Sequence, residues 1–71
     1  MLEKNVRENL VCDGLVPIKE AAGFLGISVG SLYAMMGRGE LVYVKLGRSR
    51  RIPRRALVEL AAKFLVSHEE T

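Results

Sequence analysis

Residues Glu20–Leu41 run EAAGFLGISVGSLYAMMGRGEL. The stretch reads as two short helices joined by a tight turn. Ala22 is small enough for a second helix to cross closely. Gly26 tolerates the positive φ that a sharp inter-helix turn needs. Leu32 and Met35 stand three residues apart, so on a helix they share the face that looks back at the first.

Two helices at this spacing make a helix-turn-helix, a motif that offers its second helix to the DNA major groove. Upstream, Pro17 presets φ and suits the start of the first helix, expected over about 18–25. Ile18, Ala21, Ala22 and Leu25 form its apolar stripe at i, i+3, i+4, i+7. Ser28 is the expected N-cap of the second helix, about 28–38. Leu32, Met35 and Met36 form its inner face, and Val29, Gly30, Ser31, Tyr33, Ala34 and Arg38 its outer face. Gly39 supplies a left-handed exit.

Downstream, Leu41-Val42-Tyr43-Val44-Lys45-Leu46 is β-branched and aromatic, which favours a strand. Gly47-Arg48-Ser49 is a turn, and Arg50-Arg51-Ile52 returns as a partner strand. Together they form a hairpin wing over about 41–52. Pro53 starts a third helix, about 53–66, with a core stripe of Leu57, Leu60, Ala61, Phe64 and Leu65. Glu59 and Lys63 are spaced to pair on its outside. The fold class is therefore mainly α with a small β-hairpin wing, a winged helix-turn-helix. Residues 15–66 form the domain. Residues 1–14 are expected as a flexible N-terminal arm. Within it Leu2, Val6 and Leu10 permit a short amphipathic helix, and Asp13-Gly14 sets it apart as a turn. Residues 67–71 are expected as a frayed tail.

Composition narrows the function. At 71 residues, 49% hydrophobic and 27% charged, the chain has the size and balance of one small globular domain. It has no apolar run long enough to span a bilayer, and its acidic N-terminus does not resemble a secretory signal. Cys12 is the single cysteine, which suits a reducing, cytoplasmic setting. There is no Cys/His cluster for a metal, no Ser/His/Asp set and no phosphate-binding glycine loop. No catalytic residue and no cofactor is expected, and His68 reads as a solvated tail residue.

Charge is unevenly placed. Lys45, Arg48, Arg50, Arg51, Arg54 and Arg55 fall in eleven residues without an acid, and residues 15–66 carry nine cations against three acids. That concentration is built to meet a polyanion, with a solvated basic face as the bland alternative. Arg48 and Arg50 are placed at the wing tip, where an arginine enters a narrow minor groove. Lys45 adds to the wing, and Arg51 either joins it or turns to the core side and snorkels. Arg54 and Arg55 lie in the first turn of a helix, where cations oppose the dipole. Phosphate binding explains them, against chance surface charge. Ser28 and Ser31 stand near free amides that hold a phosphate. Tyr33 either meets the DNA backbone or packs half-buried on the wing. Ser31 and Arg38 are the polar candidates beside the major groove.

The parts Glu20-Ala21-Ala22, Leu25-Gly26-Ile27-Ser28, Leu32-Tyr33, Gly39-Glu40-Leu41, Gly47-Arg48 and Ile52-Pro53 together resemble the excisionase-type helix-turn-helix domain, related to MerR-type winged helices. The resemblance covers residues 15 to 66. It implies a DNA-binding architectural cofactor that bends DNA and assists a site-specific recombinase. It also implies a second helix in the major groove and a wing at the minor groove. Its partners would be double-stranded DNA, an integrase and further copies of the chain on DNA. Outward positions that often carry polar residues in that family hold Val29, Gly30, Ala34 and Gly37 here, which shifts the expected affinity to the wing and the start of the third helix. A small transcriptional regulator is the alternative within DNA binding. A protein-interaction adaptor, using Val29 and Ala34 or the Leu2/Val6/Leu10 stripe, is the alternative outside it.

Overall fold

The structure, a computed structural model, describes residues 4–67. Leu2, the side chain of Val6, and the tail from His68 lie outside the described residues. In chain order the elements are α1 (Lys4–Val11), β1 (Leu15–Pro17), α2 (Ile18–Leu25), α3 (Val29–Gly37), β2 (Val44–Leu46), β3 (Ser49–Pro53) and α4 (Arg54–Lys63). The fold is a winged helix-turn-helix with a three-stranded antiparallel sheet in the order β1-β3-β2.

The turn between α2 and α3 forms as its residues dictate. Gly26 takes φ 70°, its amide bonds the Gly23 carbonyl, and the Ile27 amide bonds that of Ala22. This pair of bonds is a Schellman closure, which satisfies carbonyls that the helix end leaves unpaired. Ser28 then caps α3, its hydroxyl accepting from the Ser31 amide at 3.0 Å. α3 ends in the same way as α2. Gly39, at φ 78°, bonds the Met36 carbonyl and Glu40 that of Met35.

Ala21 and Ala22 of α2 are fully or almost fully buried, and Leu32 of α3 is fully buried in the same core cluster. Val16, Met36, Leu41, Ile52, Ala56, Leu57 and Leu60 complete the core, which among the described residues contains no buried polar or charged residue. β3 joins the layers. Ile52 pairs in register with Val16 of β1, while Arg51, Arg50 and Ser49 pair with Val44, Lys45 and Leu46 of β2. Pro17 ends β1 at a sheet edge, where its missing N–H costs no ladder bond.

Three sequence expectations shift. The first strand of the wing starts at Val44 rather than Leu41, because Leu41 turns into the core, 4% exposed. α4 stops at Lys63. Ala61, Phe64 and Leu65 keep the apolar period but are exposed, Phe64 and Leu65 by 63% and 76%, and Ala56 joins the core with Leu57 and Leu60. Met36 rather than Met35 is the buried methionine of α3, with Met35 partly covered.

The residues read as an arm carry α1, which lies against α4. Leu10, Leu41, Ala56 and Leu60 together line a groove of about 210 Å³. The Asp13-Gly14 turn is joined to the start of α4, where the Arg54 amide donates to the Gly14 carbonyl at 2.9 Å.

Candidate nucleic-acid interface

α3 presents a smooth outer face. Val29, Gly30, Ser31, Tyr33, Ala34 and Gly37 are all exposed, and Tyr33 is the longest side chain among them. A Cβ at Gly30 would meet only the Ser28 hydroxyl, at 3.9 Å, so packing does not require glycine there. At the N-terminus of α3 the Ser28 hydroxyl also donates to Ser31 Oγ at 3.0 Å. Ser31 keeps its own proton for an outward acceptor.

The wing stands beside this face. Gly47 takes φ 61° and turns the chain, which puts Arg48 exposed at the tip. Lys45 and Arg50 are direct cross-strand partners, and like charges so placed repel. Arg50 is drawn off that contact by two aromatic faces. Its guanidinium carbon lies 4.7 Å from the ring centre of Tyr43 and 5.3 Å from that of Tyr33 on α3. Both distances lie within cation–π range.

Strand alternation places Arg50 on the same side as Ile52, and Arg51 on the other. So Arg51, half-buried between Val44 and Pro17 in register, does not turn to the core side as one reading of the sequence allowed. Its Nη1 donates to the Arg50 carbonyl at 3.1 Å.

The other three cations expected at the site are engaged with carboxylates. Arg38 makes a fork to Glu40, with Nε 2.9 Å and Nη2 3.0 Å from the two carboxylate oxygens. That hydrogen bond is the main reason the Arg38 guanidinium is raised and the Glu40 carboxyl is held below its ordinary range. Arg55 Nε donates to Asp13 Oδ2 at 3.0 Å, which raises its guanidinium further. Arg54 Nη2 lies 3.9 Å from a Glu20 oxygen. The two cations at the start of α4 thus have acids to offset their conflict with the helix dipole, and phosphate is not needed to account for them.

Of the ten expected residues, the structure gathers Ser28, Ser31 and Tyr33 on α3 with Lys45, Arg48, Arg50 and Arg51 on the wing. It sets Arg38, Arg54 and Arg55 on acids instead. Tyr43, which the sequence presents only as a strand former, joins this group, its ring centre 4.7 Å from the Arg50 guanidinium carbon. Among the described residues no helix is long and apolar enough to cross a membrane, and no group of three or more acidic, His or Cys side chains could hold a metal ion.

Residues 15–64 match the family described as a helix-turn-helix domain. The chain is also similar to a probable excisionase from Saccharopolyspora erythraea, 41% identical over 51 residues. The alignment takes in 72% of this chain and 52% of that protein, so the chain spans about half the length of the curated relative it matches. No solved structure matches. The matched segment begins at β1 and ends just past α4, leaving α1 outside it.

Proposed function

The chain belongs to the helix-turn-helix domain family, of the excisionase type, and on that premise we propose that it binds double-stranded DNA with sequence preference as a recombination directionality factor. In this reading it sits near an attachment site in the bacterial cytoplasm, bends the duplex and assists a site-specific recombinase, with no catalysis of its own. The observation that carries the reading is the exposed α3 face standing beside a basic wing whose Lys45, Arg48, Arg50 and Arg51 have no carboxylate partner among the described residues. The name of the relative from S. erythraea adds the excisionase role.

The physical division of labour follows from the placement. α3 enters the major groove, with Ser28, Ser31 and the free amides of its first turn at a phosphate. Lys45 and Arg51 neutralise backbone phosphates, which supplies most of the affinity and none of the sequence reading. Arg48 at the tip reaches the minor groove, where a narrow, A·T-rich stretch holds the most negative potential. One such domain has few base-reading side chains, so copies side by side on DNA raise occupancy by avidity.

The test has two parts. Circularly permuted duplexes carrying the bound site should migrate according to where the site lies, which reports a bend. Adding the chain to recombinase and an excision substrate should raise the yield of excised product. Binding without a bend or any effect on excision would point to a transcriptional regulator instead. Absence of binding at low salt would leave the adaptor.

A further inference from the structure

We propose that Arg50, clamped between Tyr33 and Tyr43, is the main base-reading side chain of this protein and recognises the paired acceptors of a guanine edge in the major groove. The proposal rests on the DNA-binding reading above and adds to it which residue sets the sequence preference. It also moves Arg50 from the wing tip to the flank of α3.

Three observations carry it. The first is the clamp itself. Aromatic rings from α3 and from the residue just before β2 stand 5.3 and 4.7 Å from one guanidinium. The rings attract the guanidinium through its charge, and its N–H donors meet no carboxylate among the described residues. The two rings therefore localise the group beside α3 and leave its fork free of any carboxylate among the described residues.

The second is contrast. Arg38 and Arg55 donate to Glu40 and Asp13, and Arg54 lies 3.9 Å from Glu20. Arg50 has no such partner among the described residues, and its two tyrosines are 43% and 39% exposed, so the clamp is open to the outside. The third is position. Tyr33 is on the outer face of α3, where Val29, Gly30, Ala34 and Gly37 bring no side-chain hydrogen bond. A fork held at that place supplies what the helix lacks. Phosphate contacts tolerate a mobile cation, while bidentate reading of guanine O6 and N7 depends on a fixed plane. Tyr33 and Tyr43 are then positioning residues, acting through Arg50.

The experiment uses the full chain. A preferred site is selected from a random duplex pool, and binding is measured to that site and to versions with each guanine pair replaced, for wild type, Arg50→Lys, Tyr43→Leu and Tyr43→Phe. Wild type should discriminate against replacement of one guanine by roughly 5- to 150-fold, the range of a good bidentate contact. Arg50→Lys keeps the charge and loses the fork, so discrimination at that pair should fall to about 2-fold or less while the salt slope holds. Tyr43→Leu should lower discrimination at the same pair and Tyr43→Phe should restore it, since the ring face survives.

A purely structural clamp, there to relieve the Lys45–Arg50 repulsion, would change stability and leave base preference where it was. In the free protein the Arg50 Nε–H resonance should be displaced by the rings, and the displacement should shrink in Tyr43→Leu. Unchanged discrimination in Arg50→Lys overturns the proposal, as does an equal loss on all sequences, which marks a phosphate contact. Wild-type binding without any base preference overturns it while the DNA-binding reading stands. No wild-type binding at about 50 mM salt overturns both.

Discussion

Neutralising Asp13 and Glu20 together should make DNA binding more dependent on salt, not less. Six cations lie between Lys45 and Arg55, but Arg55 donates to Asp13 at 3.0 Å and Arg54 lies 3.9 Å from Glu20. A cation already satisfied by a carboxylate neutralises no phosphate and releases no counterion there. Three or four cations then act on the backbone, the count depending on whether Arg50 turns to a base. At about 0.9 per phosphate, log K against log salt should have a slope of roughly −2.7 to −3.6 for wild type. Asp13→Asn with Glu20→Gln frees two arginines and should steepen that slope by about 1.8. Between 50 and 200 mM salt, wild type should lose roughly 40- to 150-fold in affinity and the double variant about 12-fold more than that. Fluorescence anisotropy with a labelled duplex over that range measures both slopes. An unchanged slope in the double variant would mean that Asp13 and Glu20 do not hold the two arginines from DNA. So would an Arg54→Ala, Arg55→Ala variant that flattens the wild-type slope by about 1.8, since DNA would then displace the two carboxylates unaided.

Leu57→Ala removes a fully buried side chain from the centre of the core and should cost about 2–5 kcal/mol, enough to unfold much of so small a domain; a thermal melt checks it. Gly26→Ala has open space around the new methyl group, but φ is 70°, so the loss should be backbone strain of about 1–2 kcal/mol without a packing defect. The Glu40 carboxyl should titrate below the ordinary carboxylate range, and its midpoint should rise in Arg38→Ala, read by carboxyl-carbon NMR. Because the folded pKa is depressed, the pair's stabilising contribution is full above the ordinary carboxylate pKa and is lost as pH falls through the lowered value.

The parts of this fold that depend on near neighbours in sequence were legible. Gly26, Ser28 and Gly39 set caps and turns through bonds to residues three to five positions away, so their roles could be read from the string alone. The core faces of α2 and α3 followed from helical spacing for the same reason. What could not be read were contacts that only the folded chain brings together. Asp13 and Arg55 are 42 positions apart, so the basic stretch looked wholly available for phosphate when two of its members were already matched. The clamp on Arg50 needs Tyr33 from a helix and Tyr43 from the approach to the wing, and neither spacing announces it. Phe64 and Leu65 kept the helical period of α4 past its end. Periodicity states which side chains share a face, not whether another element arrives to cover it.

In the proposed function α3 and the wing form one DNA-binding surface. The direct measurement is an amide NMR titration of the full chain with a duplex at about 50 mM salt, where electrostatic binding is strong. The largest shifts should fall on Ser28–Gly37 and on Val44–Pro53, with the α1–α4 groove around Leu10 and Leu60 undisturbed. No shifts, or shifts centred on that groove, would contradict the claim.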